Sequence, residues 1–159
     1  MTFTLSSNDI TDGGVLPDAQ VHAGGNTSPH LGWSGAPKGT RSYAVTCFDP
    51  DAPTGSGFWH WTVANIPADV TELASGASSR GMPAGSVQGR TDFGETGYGG
   101  AAPPPGHGPH RYIFTVFAVD TEKLDVTPDN SGAVFGFNLH FHTLAKASIT
   151  ATYENTGQG

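Results

Sequence analysis

Three stretches of the chain have the hydrophobic pattern of β-strands. Residues 41–48 carry apolar side chains on both faces, which is typical of a central strand covered on both sides. Residues 59–66 and 110–119 alternate with a period of two and are rich in β-branched and aromatic side chains. The pattern predicts a sheet built around these three strands.

The alternation also assigns faces to the side chains. In the second strand, Trp59 and Trp61 are expected on one face, with His60 on the other face at the start of the strand. In the third strand, His110 and Tyr112 share a face. Two histidines therefore open two of the predicted strands.

The other predicted elements are weaker. Short alternation predicts strands at residues 1–7, 15–23 and 147–153, and residues 131–145 fit a helix of about three turns. Residues 67–108 form a glycine-rich connection without regular periodicity. Because long structureless connections are rare in compact domains unless they are functional, we expect this one to fold over the sheet and build a wall of a site.

Composition supports the same fold class. The chain has 159 residues, 23 glycines and 12 prolines, and only 13% of its residues are charged. A chain of this length is expected to form one domain, here residues 1–159. Abundant turn residues between valine-, threonine- and aromatic-rich runs favour a mainly β fold.

The charge of the chain limits its partners. A formal net charge of −7, with seven Lys and Arg spread along the sequence, makes nucleic acid an unexpected partner. No run approaches the roughly 20 apolar residues of a membrane span, so we expect no stable membrane insertion. The first residues lack the basic and apolar regions of a secretory signal, and we expect a cytoplasmic protein.

Polar residues that could carry chemistry fall into three clusters. Asp49 and Asp51 lie in the segment DPDAP after a predicted strand, His60 follows, and His110 closes the glycine-framed segment GHGPH. Taken singly, each has an ordinary interpretation as a turn or a structural histidine. Together they bring a carboxylate and imidazoles to strand ends, where Asp49 could orient one imidazole and favour its charged form.

Other candidate chemistry is weaker. Cys47 lies inside an apolar run and is interpreted as a small buried residue. His140 and His142 would share a face on a strand, as metal ligands do, but point about 200° apart on the predicted helix. We expect no metal and no cofactor, and the sequence has no recognisable serine or cysteine nucleophile.

The joint pattern resembles a known family. DPDAP, then Trp59 and His60, then the segment GHGPHRY is similar to the phosphatidylethanolamine-binding proteins, and most similar to their bacterial, Raf-kinase-inhibitor-like branch. The similarity covers about residues 27–153. It implies a Greek-key antiparallel β-sandwich with one or two short helices, one of them near the C-terminus.

The resemblance also implies a small anion pocket. The matching residues are Asp49, Pro53, His60, His110 and Tyr112. Two further positions are added as ligand-binding candidates, Asp51 from its place in the motif and Gly108 for its backbone N–H. The resemblance further implies a cis peptide bond between Ala52 and Pro53.

The leading functional hypothesis is binding of a small phosphorylated or carboxylated molecule. The first alternative is an enzyme that uses Asp49, His60 and His110 for general acid–base chemistry. The second is a kinase or protease inhibitor module, with a protein target. Bacterial relatives are often homodimers, and a dimer is expected here. The C-terminal helix that flanks the pocket in animal members is expected to be absent, and a dimer could replace it as a lid. Ala101 and Ala102, near a position that is often glycine in the family, could reshape one wall.

Overall fold

The computed structural model describes residues 2–157. Eight strands and two helices follow in chain order: β1 (Thr4–Ser6), β2 (Leu31–Ser34), β3 (Ser42–Asp49), β4 (Phe58–Pro67), β5 (Glu72–Leu73), α1 (Ala77–Arg80), β6 (Val87–Gln88), β7 (His110–Val119), α2 (Gly132–His142) and β8 (Thr143–Tyr153). A single 3₁₀ turn, Asp18–Gln20, lies between β1 and β2.

The strands form two antiparallel sheets. The larger has the order β6-β4-β3-β7-β8, and the smaller has the order β1-β2-β5. β7 returns after a long connection to pair with β3 instead of β4, as in Greek-key connections. The predicted mainly β fold with few helices, one of them near the C-terminus, is confirmed.

The main core lies between the two sheets. Leu31 and Trp33 of the smaller sheet pack with Val45, Trp61 and Phe114 of the larger one, and all are at most 5% exposed. These side chains point inward at alternate positions of their strands. The sandwich is therefore held together by the apolar face that the sequence pattern identified.

A second apolar cluster lies on the opposite face of the large sheet. There Ala44 and Ala64 pack beneath Phe135 and Leu139 of α2. β3 is thus covered on both sides, which is why both of its faces are apolar. The prediction of a central strand is confirmed.

Helix α2 begins after Ser131, whose Oγ accepts a hydrogen bond from the N–H of Val134 at 3.4 Å. It ends at His142, whose Nδ1 lies 2.8 Å from Oδ1 of Asp120. Its eleven residues make three turns, so the predicted helix is confirmed. His140 and His142 consequently lie on a helix, and the strand alternative for this pair is wrong.

The predicted faces of β4 are wrong at its start. Trp61 pairs with Cys47 and Trp59 pairs with Phe48, so His60 is an extra residue in a β-bulge. The extra residue shifts the alternation by one position, so Trp59 and Trp61, which were predicted on one face, lie on opposite faces of the sheet. Trp61 lies in the core between the sheets, whereas Trp59 packs at an angle against Phe48 on the α2 side, with ring centroids 4.4 Å apart.

The predicted strand at residues 15–23 is also wrong. Pro17 has no N–H to donate, and its carbonyl instead accepts from the N–H of Gln20 in a 3₁₀ turn. Only isolated bridges at Val15 and Val21 remain of the expected strand.

The two terminal strands differ from their predicted bounds. The first is confined to β1, and Met1 of its predicted range lies outside the described residues. The last extends back from residue 147 to Thr143. Within residues 2–157, no helix has the length and apolarity needed to cross a membrane.

Candidate functional site

A buried carboxylate–imidazole pair lies where β3 ends and β7 begins. The antiparallel pairing of these strands, which ends with Phe48 opposite Ile113, puts Asp49, the last residue of β3, and His110, the first residue of β7, at the same end of the sheet. Nδ1 of His110 lies 2.7 Å from Oδ2 of Asp49, and the two side chains are only 2% and 3% exposed. Oδ1 of Asp49 accepts a second hydrogen bond, from the N–H of Asp51 at 2.7 Å. The imidazole that Asp49 orients is therefore that of His110.

His60 reaches the same place through the β4 bulge. Its Nδ1–H donates to the carbonyl oxygen of Gly99 at 2.8 Å, because a carbonyl can only accept, and this leaves Nε2 as the free nitrogen. Burial lowers the pKa of His60, although the Gly99 carbonyl partly opposes this effect. At neutral pH the ring is therefore neutral and offers Nε2 as an acceptor.

Tyr112 lies beside both histidines and is 1% exposed. Its ring packs edge-on against His60, with centroids 5.2 Å apart. Among residues 2–157, its hydroxyl makes no well-formed hydrogen bond, although the Asp49 carboxylate and the backbone of Ala102 lie close enough to influence its pKa. Burial of a hydroxyl without such a bond is costly. Burial first and the charge of Asp49 second raise the pKa of Tyr112, so its hydroxyl stays protonated and can donate.

An open cavity of about 230 Å³ lies over these groups. Part of the cavity is lined by four polar side chains, those of Asp49, His60, His110 and Tyr112. The remaining wall is largely apolar and includes two aromatic rings and several prolines: Ala52, Pro53, Thr54, Phe58, Phe93, Ala102, Pro103 and Pro104. The glycine-rich connection thus contributes a wall of the cavity, as the sequence suggested. Sequence reasoning did not identify Phe58 and Phe93, which pack against each other with centroids 4.7 Å apart.

Two of the candidate ligand-binding residues do not line the cavity. Asp51 instead binds Arg111, whose Nε and Nη2 donate to its two carboxylate oxygens at 2.9 and 2.8 Å. Hydrogen bonding to Arg111 lowers the pKa of Asp51 to about 2. Gly108 lies in the preceding turn with a φ of +86° and is absent from the cavity wall.

The predicted cis bond at Pro53 is wrong. Every peptide bond within residues 2–157 is trans, including the bond between Ala52 and Pro53. The turn is closed instead by the N–H of Thr54, which donates to the carbonyl of Ala52 at 2.8 Å.

His107 is a contact that the sequence did not reveal. Its Nδ1 lies 2.5 Å from Nε2 of His110, and the two rings meet edge-on with centroids 4.8 Å apart. The only sequence signal was a histidine framed by Gly106 and Gly108, three positions before His110. The structure therefore contains a hydrogen-bonded chain from Asp49 through His110 to the exposed His107.

The described residues offer no evident place for a metal ion. Across residues 2–157, no group of three or more His, Cys, Asp or Glu side chains is arranged to hold one. Cys47 is buried within β3, and burial raises the pKa of its thiol, which keeps it from acting as a thiolate. The chemistry available to the cavity is hydrogen bonding and proton transfer by Asp49, His60, His110 and Tyr112.

The fold and this site define a class of two-sheet proteins with an open cavity over a buried carboxylate–histidine pair. The family model described as phosphatidylethanolamine-binding protein matches residues 6–154. The chain belongs to this family, and the resemblance seen in its motifs is confirmed.

Bacterial relatives cover nearly the whole chain. The UPF0098 protein YbhB of Escherichia coli is 57% identical over 156 residues, which cover 94% of this chain and 98% of that protein. The crystal structure of YbcL from E. coli, described as a new member of the mammalian PEBP family, matches with a TM-score of 0.93 at 52% identity. That match covers 96% of this chain and 98% of the YbcL chain.

Proposed function

We propose that this protein binds a small molecule with a phosphate or carboxylate group, held at the polar floor of the cavity. The anionic group would be surrounded by four side chains, those of Asp49, His60, His110 and Tyr112. Pro53, part of the apolar wall, would contact the rest of the ligand. The observation that carries the proposal is the buried Tyr112 hydroxyl, which makes no well-formed hydrogen bond among the described residues and belongs to a side chain that lines this cavity.

The proposal explains how an acidic protein could attract an anion. The overall field of a chain with net charge −7 repels anions, so any attraction must come from local donors. The Tyr112 hydroxyl is one such donor, and a protonated His60 would supply a second through Nε2. Both act inside a largely apolar cavity, where hydrogen bonds to charged groups are stronger than in water.

Because His60 is neutral at neutral pH, binding of an anion should be accompanied by proton uptake. An anion beside the ring favours the imidazolium, which opposes the lowering of the His60 pKa by burial. Affinity should therefore increase as pH falls towards 6, until the stability of the protein itself declines. Calorimetry in buffers with different heats of ionisation would measure the protons taken up.

The direct test is calorimetric titration with inorganic phosphate and with phosphorylated amines. Tyr112→Phe removes only the hydroxyl, and a hydrogen bond to a charged group is worth about 1.5–3 kcal/mol, so we expect roughly tenfold to hundredfold weaker binding. His60→Ala and His110→Ala should also weaken binding strongly. His140→Ala, on the exposed part of α2, is the control. Equal heats in all five proteins would refute the pocket.

One observation favours a second candidate, an acid–base enzyme. A carboxylate that orients an imidazole is the arrangement used for general base catalysis, and Asp49 orients His110 in this way. Water or the substrate itself would be the nucleophile. Turnover that is lost in Asp49→Asn, with the fold retained, would support this function, whereas no turnover across a broad panel of phosphorylated metabolites would argue against it.

The expected homodimer and cytoplasmic location remain predictions. Light scattering of the purified protein decides the first, since a dimer doubles the mass of the 16.4 kDa chain. Cell fractionation decides the second.

A further inference from the structure

His107 sits on a loop that little else holds in place. It is exposed, and it lies between Gly106 and Gly108, which have φ values of +74° and +86°. A Cβ added at either glycine would meet no atom within 4 Å, so there is open space beside the backbone on both sides of His107. Its backbone is held by two hydrogen bonds, from His107 N–H to the carbonyl of Pro104 at 3.2 Å and from Gly106 N–H to the carbonyl of Asn155 at 2.9 Å.

The side chain of His107 nevertheless makes a short contact with a buried group. Its Nδ1 lies 2.5 Å from Nε2 of His110, whose Nδ1 faces the Asp49 carboxylate at 2.7 Å. Since the carboxylate accepts, Nδ1 of His110 carries a proton, and in the tautomer protonated at that nitrogen Nε2 accepts. Nδ1–H of His107 is then the donor, and its own Nε2 is left facing solvent.

This contact uses the only nitrogen through which His110 could contact a ligand. His110 lines the cavity, but its Nδ1 is committed to Asp49. Nε2 can accept one hydrogen bond in the ring plane, so the Nδ1–H of His107 and the P–OH group of a hydrogen phosphate exclude one another there.

We propose that His107 is an internal competitor for Nε2 of His110, and that a hydrogen phosphate group entering the cavity must displace it in order to donate its P–OH to this nitrogen. The inference rests on the proposed anion-binding function and adds a residue that sets the affinity of that site. His107 is a positioning residue, because it acts through His110 and is absent from the cavity wall. Its exposure and its two flanking glycines allow the ring to leave without disturbing the sheet.

The competition predicts that removing His107 strengthens binding. His107→Ala should bind inorganic phosphate more tightly than the wild type, by about fivefold, the equivalent of one ordinary hydrogen bond. His107→Phe keeps a ring of similar size without nitrogens and should bind equally tightly, since the competition is by hydrogen bonding. The matched control is His140→Ala, which removes an exposed histidine of α2 that does not line the cavity. The titrations are run at about pH 8, where an ordinary imidazole carries little charge.

A second measurement needs no ligand. In side-chain ¹⁵N spectra of the phosphate-free protein, Nε2 of His110 should show a hydrogen-bonded, unprotonated nitrogen that shifts in His107→Ala and not in His140→Ala. Added phosphate should release the signals of His107 to those of a free imidazole.

The outcomes separate the two proposals. Tighter phosphate binding by both His107 variants, with the ¹⁵N change, supports the competition. If the wild type binds phosphate and the His107 variants bind it with the same or lower affinity, the competition is refuted, whereas the proposed pocket is not. Tightening in His107→Ala alone would mean steric blocking and would also overturn it. Absence of phosphate binding in every protein overturns the proposed function, and the competition with it.

Discussion

Removing His110 should show how much the buried Asp49–His110 pair contributes to the free energy of unfolding. In His110→Ala, Oδ2 of Asp49 loses its partner, and the carboxylate keeps only the hydrogen bond from the N–H of Asp51. Breaking a buried pair from one side costs about 3–5 kcal/mol. Because the cavity above the pair is open and can admit water, we expect the lower end of that range, about 3 kcal/mol.

Asp49→Asn perturbs the same pair differently. One carboxylate oxygen becomes an NH₂ group that faces an N–H donor, which costs about 1–3 kcal/mol unless His110 changes its tautomer. In the double variant, Asp49→Asn with His110→Ala, no buried charge remains. The combined loss should therefore be smaller than the sum of the single losses, by at least about 1 kcal/mol.

Urea unfolding followed by tryptophan fluorescence measures these free energies. Trp33 and Trp61 are at most 5% exposed, so their emission reports exposure of the main core. Equal m-values in the four proteins would show that the same surface is exposed on unfolding. Strictly additive losses, or a loss below about 1 kcal/mol in His110→Ala, would refute the argument that the pair is electrostatically coupled.

Three further expectations concern other residues. Burial lowers the pKa of His60 in the folded protein. As pH drops below 6.5, the unfolded chain therefore takes up a proton before the folded protein does, and the free energy of unfolding should fall. In His60→Phe the free energy of unfolding, measured by urea titration at several pH values, should depend less on pH. A pH dependence equal to that of the wild type would contradict this expectation. In Gly132→Ala the methyl would lie 2.2 Å from Cγ of Trp59, and we expect about 1–3 kcal/mol of lost stability. Gly136→Ala, with nothing within 4 Å, should gain about 0.5–1 kcal/mol; equal losses in both would contradict the Trp59 contact.

The elements predicted correctly are those determined by local periodicity. β7 has the predicted bounds, residues 110–119, because its alternation is uninterrupted and both faces are used. β3 is found within one residue of its predicted bounds, and α2 begins within one residue of its predicted start but ends three residues early, at His142, where β8 takes over. The prediction of a strand at residues 15–23 failed because its alternation was short and weak, and a 3₁₀ turn follows Pro17 instead.

The candidate site was only partly predictable. The sequence places Asp49, His60, His110 and Tyr112 at strand ends, and the structure brings all four to one cavity. Which imidazole faces Asp49 depends on the register of β3 against β7, and no single strand encodes that register. The His107 contact depends on the path of a loop in which two glycines have positive φ, a conformation that sequence periodicity does not describe.

The bulge in β4 shows how one extra residue determines both faces of a sheet. Regular alternation would place Trp59 in the core beside Trp61 and turn His60 towards α2. With the bulge, Trp59 turns outward and packs against Gly132 at the start of α2, while His60 joins Tyr112 on the cavity side. The imidazole of the cavity and the contact that seats the helix thus depend on the same register shift. A change that restored regular pairing in β4 would therefore remove both at once.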